Sequence, residues 1–337
     1  MKTGFIGGKF LPFHIGHLYA IMYASNFVDK LYVVLISSVK RDRTLCEQAD
    51  IKYISGSTRK SWISKELNNF DNIEVIEIVD NCSADESEYD WENGAKDVRD
   101  IIVEPLTHVF SSEHSYTPFF KKYYPNAEHI VIDSRRDTIN ISATEIKKDI
   151  YSNWEYLTKS ARQFFTKKVA IVGTESCGKS MLTKQLANLY YTNYCHEVGR
   201  DYCKRYKNNL TIEMFPQIAM EHILLQDKLA YESNKVLFVD SDAVITQYYM
   251  GMYFDRASTL VENIIDQQDF DLILYLEPDV PWVDDGLRFQ GEVAEREENN
   301  YTLKGMYKRR HMPFHTITGT YLERLLSAKK IVDKLFK

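Results

Sequence analysis

The sequence predicts an α/β protein built from two parallel-sheet domains. Three observations carry that expectation. Short β-branched runs alternate with amphipathic stretches through the first half of the chain. The same alternation restarts at Val169. Each series also begins with a glycine-containing loop between a strand and a helix, the arrangement a backbone phosphate cradle needs.

In the first series the expected strands are Thr3–Ile6, Leu31–Ser37, Ile73–Val79, His108–Ser111 and His129–Ile132. The helical stretches between them include His17–Phe27, Arg59–Asn68 and Trp91–Val103. In the second series the strands are Val169–Val172, Val236–Val239 and Leu272–Leu276, with helices at Lys179–Tyr191, Ala219–Tyr231 and Leu260–Gln267. Strands joined through helices run parallel. The polar and aromatic stretch Tyr151–Lys168 lies between the series, so the expected domains are 1–164 and 165–337. A chain of 337 residues with 44% hydrophobic residues can fill two cores.

Composition narrows the function classes. The net charge of −6 argues against a broad basic face, so neither nucleic-acid nor anionic-membrane binding is expected. Local basic clusters at Lys40, Arg41, Arg43 and at Arg135, Arg136 still allow a small anionic ligand. The five cysteines form no C-x-x-C pair, which argues against a disulfide framework or a structural zinc site and for reduced thiols in the cytoplasm. The N-terminus does not read as a signal peptide, and no run of about 18 apolar residues occurs, so no membrane insertion is expected. Homo-oligomerisation stays open.

The stretch from Gly4 to His17 reads as a strand that turns through Gly7 and Gly8 and enters a helix near His17. Bare glycine backbone and a helix N-terminus favour phosphate. His14 and His17 flank Gly16 and can converge on one anionic group, with Lys9 a nearby cation. A second stretch, Ile141-Ser-Ala-Thr-Glu-Ile146, opens a helix. Ser142 and Thr144 there can hold phosphate, but Ser142 and Glu145 also spell a capping box, and one helix end can serve both uses.

Gly173-Thr174-Glu175-Ser176-Cys177-Gly178-Lys179-Ser180 completes the pattern G-x-x-x-x-G-K-[ST] between a strand and an amphipathic helix. Its backbone should cradle phosphates, Lys179 should reach the β- and γ-phosphates, and Ser180 should bind Mg²⁺. Cys177 reads as a spacer whose thiol, if exposed, is open to oxidation. Asp240 ends the next apolar strand and is the candidate for Mg²⁺ or water positioning, a role Asp242 could share. Glu197, Arg200 and Asp201 follow the loop's helix; they bind or deprotonate an acceptor hydroxyl, or form a solvated helix face. Trp282–Arg288 and the charged run Glu292–Glu298 read as a lid carrying Arg288 and Arg296 to the phosphates, or as a charged surface helix.

The first string and Ile141–Ile146 resemble the H-x-G-H nucleotidyltransferase superfamily, which implies a Rossmann-like adenylyl or cytidylyl transferase. That superfamily places arginine after the second isoleucine; this chain has Lys147, which keeps the charge and loses the bidentate fork. An H-x-G-H transferase followed by a P-loop kinase is similar to the bifunctional nicotinamide-nucleotide adenylyltransferase and ribosylnicotinamide kinase family, the NadR type. Further stretches carry the resemblance: Ser111–Glu113, Glu197–Asp201, Pro216–Ala219, Val239–Asp242 and Trp282–Arg288.

The resemblance implies two steps. The kinase makes the mononucleotide (NMN) from nicotinamide riboside, and the transferase joins NMN to the AMP of ATP, giving NAD and pyrophosphate. His14 and His17 would act on the α/β-phosphates, Glu197 as the kinase acid or base, and ATP with Mg²⁺ would serve both sites. Trp91 falls in the family's ring-stacking region with Tyr89 beside it; both could equally be ordinary packed aromatics. Some members carry an N-terminal helix-turn-helix repressor; with the first strand beginning at residue 3, none is expected here. Two other readings remain: a sensor that binds NAD and ATP, and a nucleotidyltransferase–nucleoside kinase fusion with different substrates.

Overall fold

A computed structural model describes residues 1–80, 90–280 and 293–336. By internal contacts the chain divides into two compact units, Met1–Phe164 and Phe165–Lys337.

The first unit runs β1 (Thr3–Gly8), α1 (Ile15–Ser25), β2 (Lys30–Ser37), α2 (Val39–Gln48), α3 (Gly56–Leu67), β3 (Ile73–Val79), α4 (Trp91–Ile101), β4 (His108–Ser111), α5 (Thr117–Tyr123), β5 (Glu128–Val131), α6 (Ala143–Lys148) and α7 (Lys159–Phe165). Its sheet has the order β3-β2-β1-β4-β5, with every pairing parallel. Strand order reverses direction at β1, so the crevice beyond the carboxyl ends of β1 and β4 is where an open α/β sheet takes its ligand. Phe5, Tyr32, Val34, Val109, Phe120 and Tyr124 pack with Ala95 and Val98 of α4 on one face.

The second unit runs β6 (Lys167–Val172), α8 (Lys179–Leu189), β7 (Tyr194–Cys195), α9 (Val198–Arg205), α10 (Met214–Tyr231), β8 (Val236–Asp240), α11 (Ala243–Phe254), α12 (Thr259–Gln267), β9 (Leu272–Leu276), α13 (Val293–Arg309), β10 (His315–Ile317) and α14 (Tyr321–Val332). Its sheet is also parallel, in the order β10-β9-β6-β8-β7. Both faces are covered, which is why its strands read as unbroken apolar runs. Val169 and Ile171 pack with Leu182 and Leu186 of α8 and Ala328 and Val332 of α14. The alternate residues, Ala170 and Val172, pack with Val244 of α11 and Val261 and Ile264 of α12.

One expectation is corrected. β1 does not turn at its glycines: Gly7 and Gly8 pair in register with Val34 and Leu35, and neither has a positive φ. The turn comes later, across Lys9–Phe13, and Phe10 takes the left-handed conformation (φ 49°). The part of the expected boundary stretch that precedes residue 165 packs within the first unit. Trp154 and Leu157 are buried, Leu157 bridges to His14, and the Thr158 hydroxyl donates to the Phe13 carbonyl at 3.4 Å. The charged run after residue 292 opens α13. Arg288, Tyr89 and the Trp282–Arg288 stretch lie outside the described residues.

Candidate active sites

Each unit places a ligand site at the carboxyl edge of its central strand. In the first unit this is a cleft of about 590 Å³, enough for a nucleotide. Gly7, Gly8 and Lys9 form its floor; His14, Gly16 and His17 enter with α1; Ser142, Ala143, Thr144 and Lys147 close it from α6; Trp91 enters from α4.

His14 caps α1. The Gly16 N–H donates to His14 Nδ1 at 3.1 Å. A backbone N–H can only donate, so Nδ1 carries no proton and the neutral ring holds its proton on Nε2. The His17 ring stacks on His14 with centroids 3.7 Å apart. Burial, reinforced by Arg136, lowers the His14 pKa to about 4. Burial, then His14 and Arg136, lowers His17 well below its ordinary value. Both rings are therefore neutral donors at physiological pH. His17 Nδ1 is buried and has no hydrogen-bond partner among the described residues. Space at Gly16 is tight: a Cβ there would stand 3.0 Å from both Cε1 and Nδ1 of His14, so the ring would have to shift.

A buried ion pair fixes the Lys9 turn. Arg59 and Asp42 are both almost fully buried and bonded to each other, and Arg59 also donates to the Lys9 carbonyl. The Ser38 N–H completes the Asp42 carboxylate at 2.9 Å.

The capping box at α6 is formed. Ser142 Oγ accepts from the Glu145 N–H at 3.1 Å, while the Ser142 hydroxyl and N–H both donate to Glu145 Oε2. The Ser142 hydroxyl proton is thus already used. Trp91 stacks on Phe119 with centroids 4.5 Å apart and meets Tyr116 and Phe120 edge-on. One face of its ring is packed, and Trp91, Tyr116 and Phe120 all line the cleft. Sequence reasoning missed Arg136 as a site residue. Its signal was the basic pair Arg135, Arg136 shortly before Ser142, in a segment with no strand or helix pattern to orient it.

In the second unit the phosphate loop joins β6 to α8. Gly173 (φ 145°) and Gly178 (φ 87°) take conformations that favour glycine, and a Cβ on Gly173 would meet the Leu276 carbonyl at 2.6 Å. Ser176 is also left-handed (φ 57°). Lys179 donates to the Thr174 carbonyl at 2.9 Å, holding the loop closed from within. Burial opposes its charge, but Cys177, Glu197 and Asp240 more than offset this and raise its pKa. Cys177 is fully buried and its thiol donates to the Thr174 carbonyl at 3.0 Å, so no exposed thiol sits in the loop. Arg324 of α14 is 1% exposed and donates to the carbonyls of Cys177, Glu277 and Gly319.

The register of β8 on β6 sets Asp240 opposite Ile171, at the mouth of the loop. Asp240 accepts a hydrogen bond from Ser180, while its Oδ1 is buried and has no partner among the described residues. Burial and Glu197 raise its pKa to about 6, against Lys179 and Ser180. A hydroxyl beside a carboxylate, completed by phosphates and waters, is a donor set that Mg²⁺ accepts. Ser241 follows with φ 72°, and Asp242 caps α11. Asp242 Oδ1 accepts from the Ile245 N–H and the Tyr307 hydroxyl; Oδ2 has no partner among the described residues. Burial lifts its pKa to about 6.

A cavity beside the loop is lined by Glu175, Ser176, Lys179, Glu197, Arg200 and Asp242, with Phe215, His222, Tyr249 and Tyr253. Glu197 and Arg200 are thus brought to the site. Asp201 does not line the cavity; it pairs with His196 at 2.7 Å, both near half exposed. Arg296 does not line it either; its guanidinium donates to the Val280 carbonyl at 3.1 Å. Tyr249, Tyr253 and His222 were missed. Tyr249 and Tyr253 lie four residues apart on α11, a helix with no amphipathic pattern to reveal it, and nothing in the sequence set His222 apart from a core histidine.

Comparison with known proteins decides the lineage. Residues 168–324 match the AAA domain family. The trifunctional NAD biosynthesis/regulator protein NadR of Salmonella typhimurium is 30% identical, over 99% of this chain and 83% of its own. The chain belongs to the NadR family. Crystal structures of NadR with NR, and with NAD and AMP-PNP, share the fold at TM-scores of 0.82 and 0.80. Their identities are 22% and 21%; both matches cover 99% of this chain, and 96% and 95% of theirs. Among the described residues no helix is long and apolar enough to cross a membrane.

Proposed function

We propose that the chain is a bifunctional NAD salvage enzyme, a ribosylnicotinamide kinase in residues 165–337 and a nicotinamide-nucleotide adenylyltransferase in residues 1–164. One observation carries this reading: a NadR-family chain holds two separate phosphate sites, each at the carboxyl edge of its own sheet. The relatives' NAD biosynthesis, and their complexes with NR, NAD and AMP-PNP, supply the substrate class.

In the kinase the 5′-hydroxyl of nicotinamide riboside attacks the γ-phosphorus of ATP and ADP leaves. Lys179 and the loop backbone hold the phosphates. The hydroxyl proton passes to a carboxylate. Glu197 and Asp242 both line the cavity; Asp242 has a buried oxygen without a partner and a pKa near the working range, and we assign it the base. Glu197 then holds the ribose with Arg200. Ser180 and Asp240 would hold Mg²⁺, which when bound neutralises charge on the phosphates.

In the transferase an NMN phosphate oxygen attacks the α-phosphorus of ATP, and pyrophosphate leaves. No protein nucleophile is needed. His14 and His17 donate hydrogen bonds to the phosphates as neutral rings, and Lys9, Arg136 and Lys147 supply positive charge. The aromatic wall of Trp91 and Tyr116 suits the cationic nicotinamide ring.

The test is incubation with ATP, Mg²⁺ and nicotinamide riboside, following NMN and then NAD. Lys179→Ala should abolish the first step alone and His17→Ala the second alone. Absence of both products from the wild type would refute the reading, and tight NAD binding without turnover would favour a sensor. We further propose a cytoplasmic enzyme with small-molecule partners only, given the charge of −6. A shifted band with promoter DNA would overturn that.

A further inference from the structure

The kinase cavity contains a buried polar group that phosphoryl transfer leaves unused. His222 of α10 is 4% exposed and lines the cavity beside Phe215, Ile218 and Tyr249. One side of its ring is committed: it donates a hydrogen bond to the His196 backbone carbonyl, immediately before Glu197. Nε2 is buried and has no partner among the described residues, so the donor to His196 is Nδ1–H. A neutral imidazole carries one proton. With that proton on Nδ1, Nε2 is a bare, buried acceptor on a residue that lines the cavity. Burial, and then His196, hold the pKa near 4, so the ring stays neutral in use.

We propose that His222 is the specificity-determining residue of the kinase, its Nε2 accepting an N–H from the carboxamide of the nucleoside and rejecting a carboxylate at the same position. This rests on the kinase reading above. A carboxamide presents two N–H donors; a carboxylate presents only acceptors, and its lone pairs would face the lone pair of Nε2. Protonating His222 to receive the carboxylate would have to overcome its burial. Glu175, Glu197 and Asp242 line the same cavity and disfavour a second anion while favouring a cationic ring. The surroundings also orient the nucleoside. The apolar neighbours Phe215 and Ile218 suit the flat ring near His222, and the carboxylates suit the ribose hydroxyls. Tyr249 and Tyr253, stacked with centroids 5.8 Å apart, add aromatic surface for the cation.

The experiment compares kcat/KM for nicotinamide riboside, nicotinic acid riboside and the N,N-dimethylcarboxamide riboside, in the wild type, His222→Ala and His222→Gln. The wild type should prefer the carboxamide by on the order of 100-fold over both analogues, because each leaves the buried acceptor unpaired. His222→Ala should bring the three nucleosides within about threefold of one another, and His222→Gln, which keeps an acceptor, should recover part of the preference. The KM for ATP and the transferase rate should not move in either variant. Equal wild-type rates with the carboxamide and its dimethyl analogue would overturn the proposal, a result that needs no variant to fold. So would an active His222→Ala enzyme that keeps the wild-type ratio. Failure of the wild type to phosphorylate any of the three would instead refute the kinase reading, and this inference with it.

Discussion

Gly16→Ala separates geometry from stability in the transferase. The new methyl would sit 3.0 Å from Cε1 and Nδ1 of His14, a few tenths of an ångström inside ordinary contact, so the ring must move away. That displacement also strains the 3.1 Å bond from the Gly16 N–H, which fixes the His14 tautomer. Losing the bond costs about 1 kcal/mol. Replacing glycine by alanine within a helix returns about 1 kcal/mol, and Gly16 has no positive φ to forbid it. Stability should therefore hold within roughly 1 kcal/mol. Catalysis should not, because a misplaced donor is worth on the order of 10–100-fold. The assay is NAD formation from NMN and ATP at saturation, with kinase turnover and the thermal midpoint measured on the same sample. A transferase rate within threefold of wild type would refute the argument, as would an equal loss of kinase activity.

The remaining predictions concern charge. Arg59→Ala leaves Asp42 buried with the Ser38 N–H and Arg41 as its donors; the transferase unit should lose about 3 kcal/mol in chemical denaturation, more than a surface arginine could cost. Lys147→Arg should raise the transferase kcat/KM severalfold by restoring a bidentate contact, read as a fall in the KM for ATP. The Asp242 pKa is raised to about 6, so as a base it works ionised; kinase kcat/KM should fall as pH drops through about 6, and Asp242→Asn should remove both the activity and the inflection. The same shift has a stability side. A carboxyl whose folded pKa exceeds its unfolded value contributes stability that is complete below about 4 and lost as pH rises through about 6, so Asp242→Asn should raise the thermal midpoint at pH 8.

Much of the fold was legible because buried parallel strands leave a plain trace. Leu31–Ser37, Val169–Val172 and Leu272–Leu276 are continuous apolar runs, and each is a strand in the structure. The two-residue β7 and three-residue β10 were not legible, since neither is long enough to show a period. Nor was α11, whose sequence AVITQYYMGMYF is apolar on most sides because it lies between the sheet and neighbouring helices. The phosphate loops were legible for a different reason: backbone approach and left-handed φ restrict residue type at fixed spacings, as Gly173 and Gly178 show. What stayed hidden depends on contacts across the chain. The neutrality of His14 and His17 comes from burial and from Arg136, and the free edge of His222 comes from a bond to His196. Asp201 and Arg296 show the converse, since each has the right residue type near the right loop but bonds elsewhere.

The buried guanidinium of Arg324 bears on the order of biosynthesis. It clasps the carbonyl of Cys177 across 147 positions of sequence, together with the carbonyls that follow β9 and precede α14. Chains fold in step with translation, the earlier domain first. The residues that line the first unit's cleft all belong to Met1–Phe164 and have left the ribosome while the second unit is still being made. The kinase loop, although encoded at the start of its unit, receives its anchor only when α14 has emerged and docked. A nascent chain would thus acquire the later step of the salvage sequence before the earlier one.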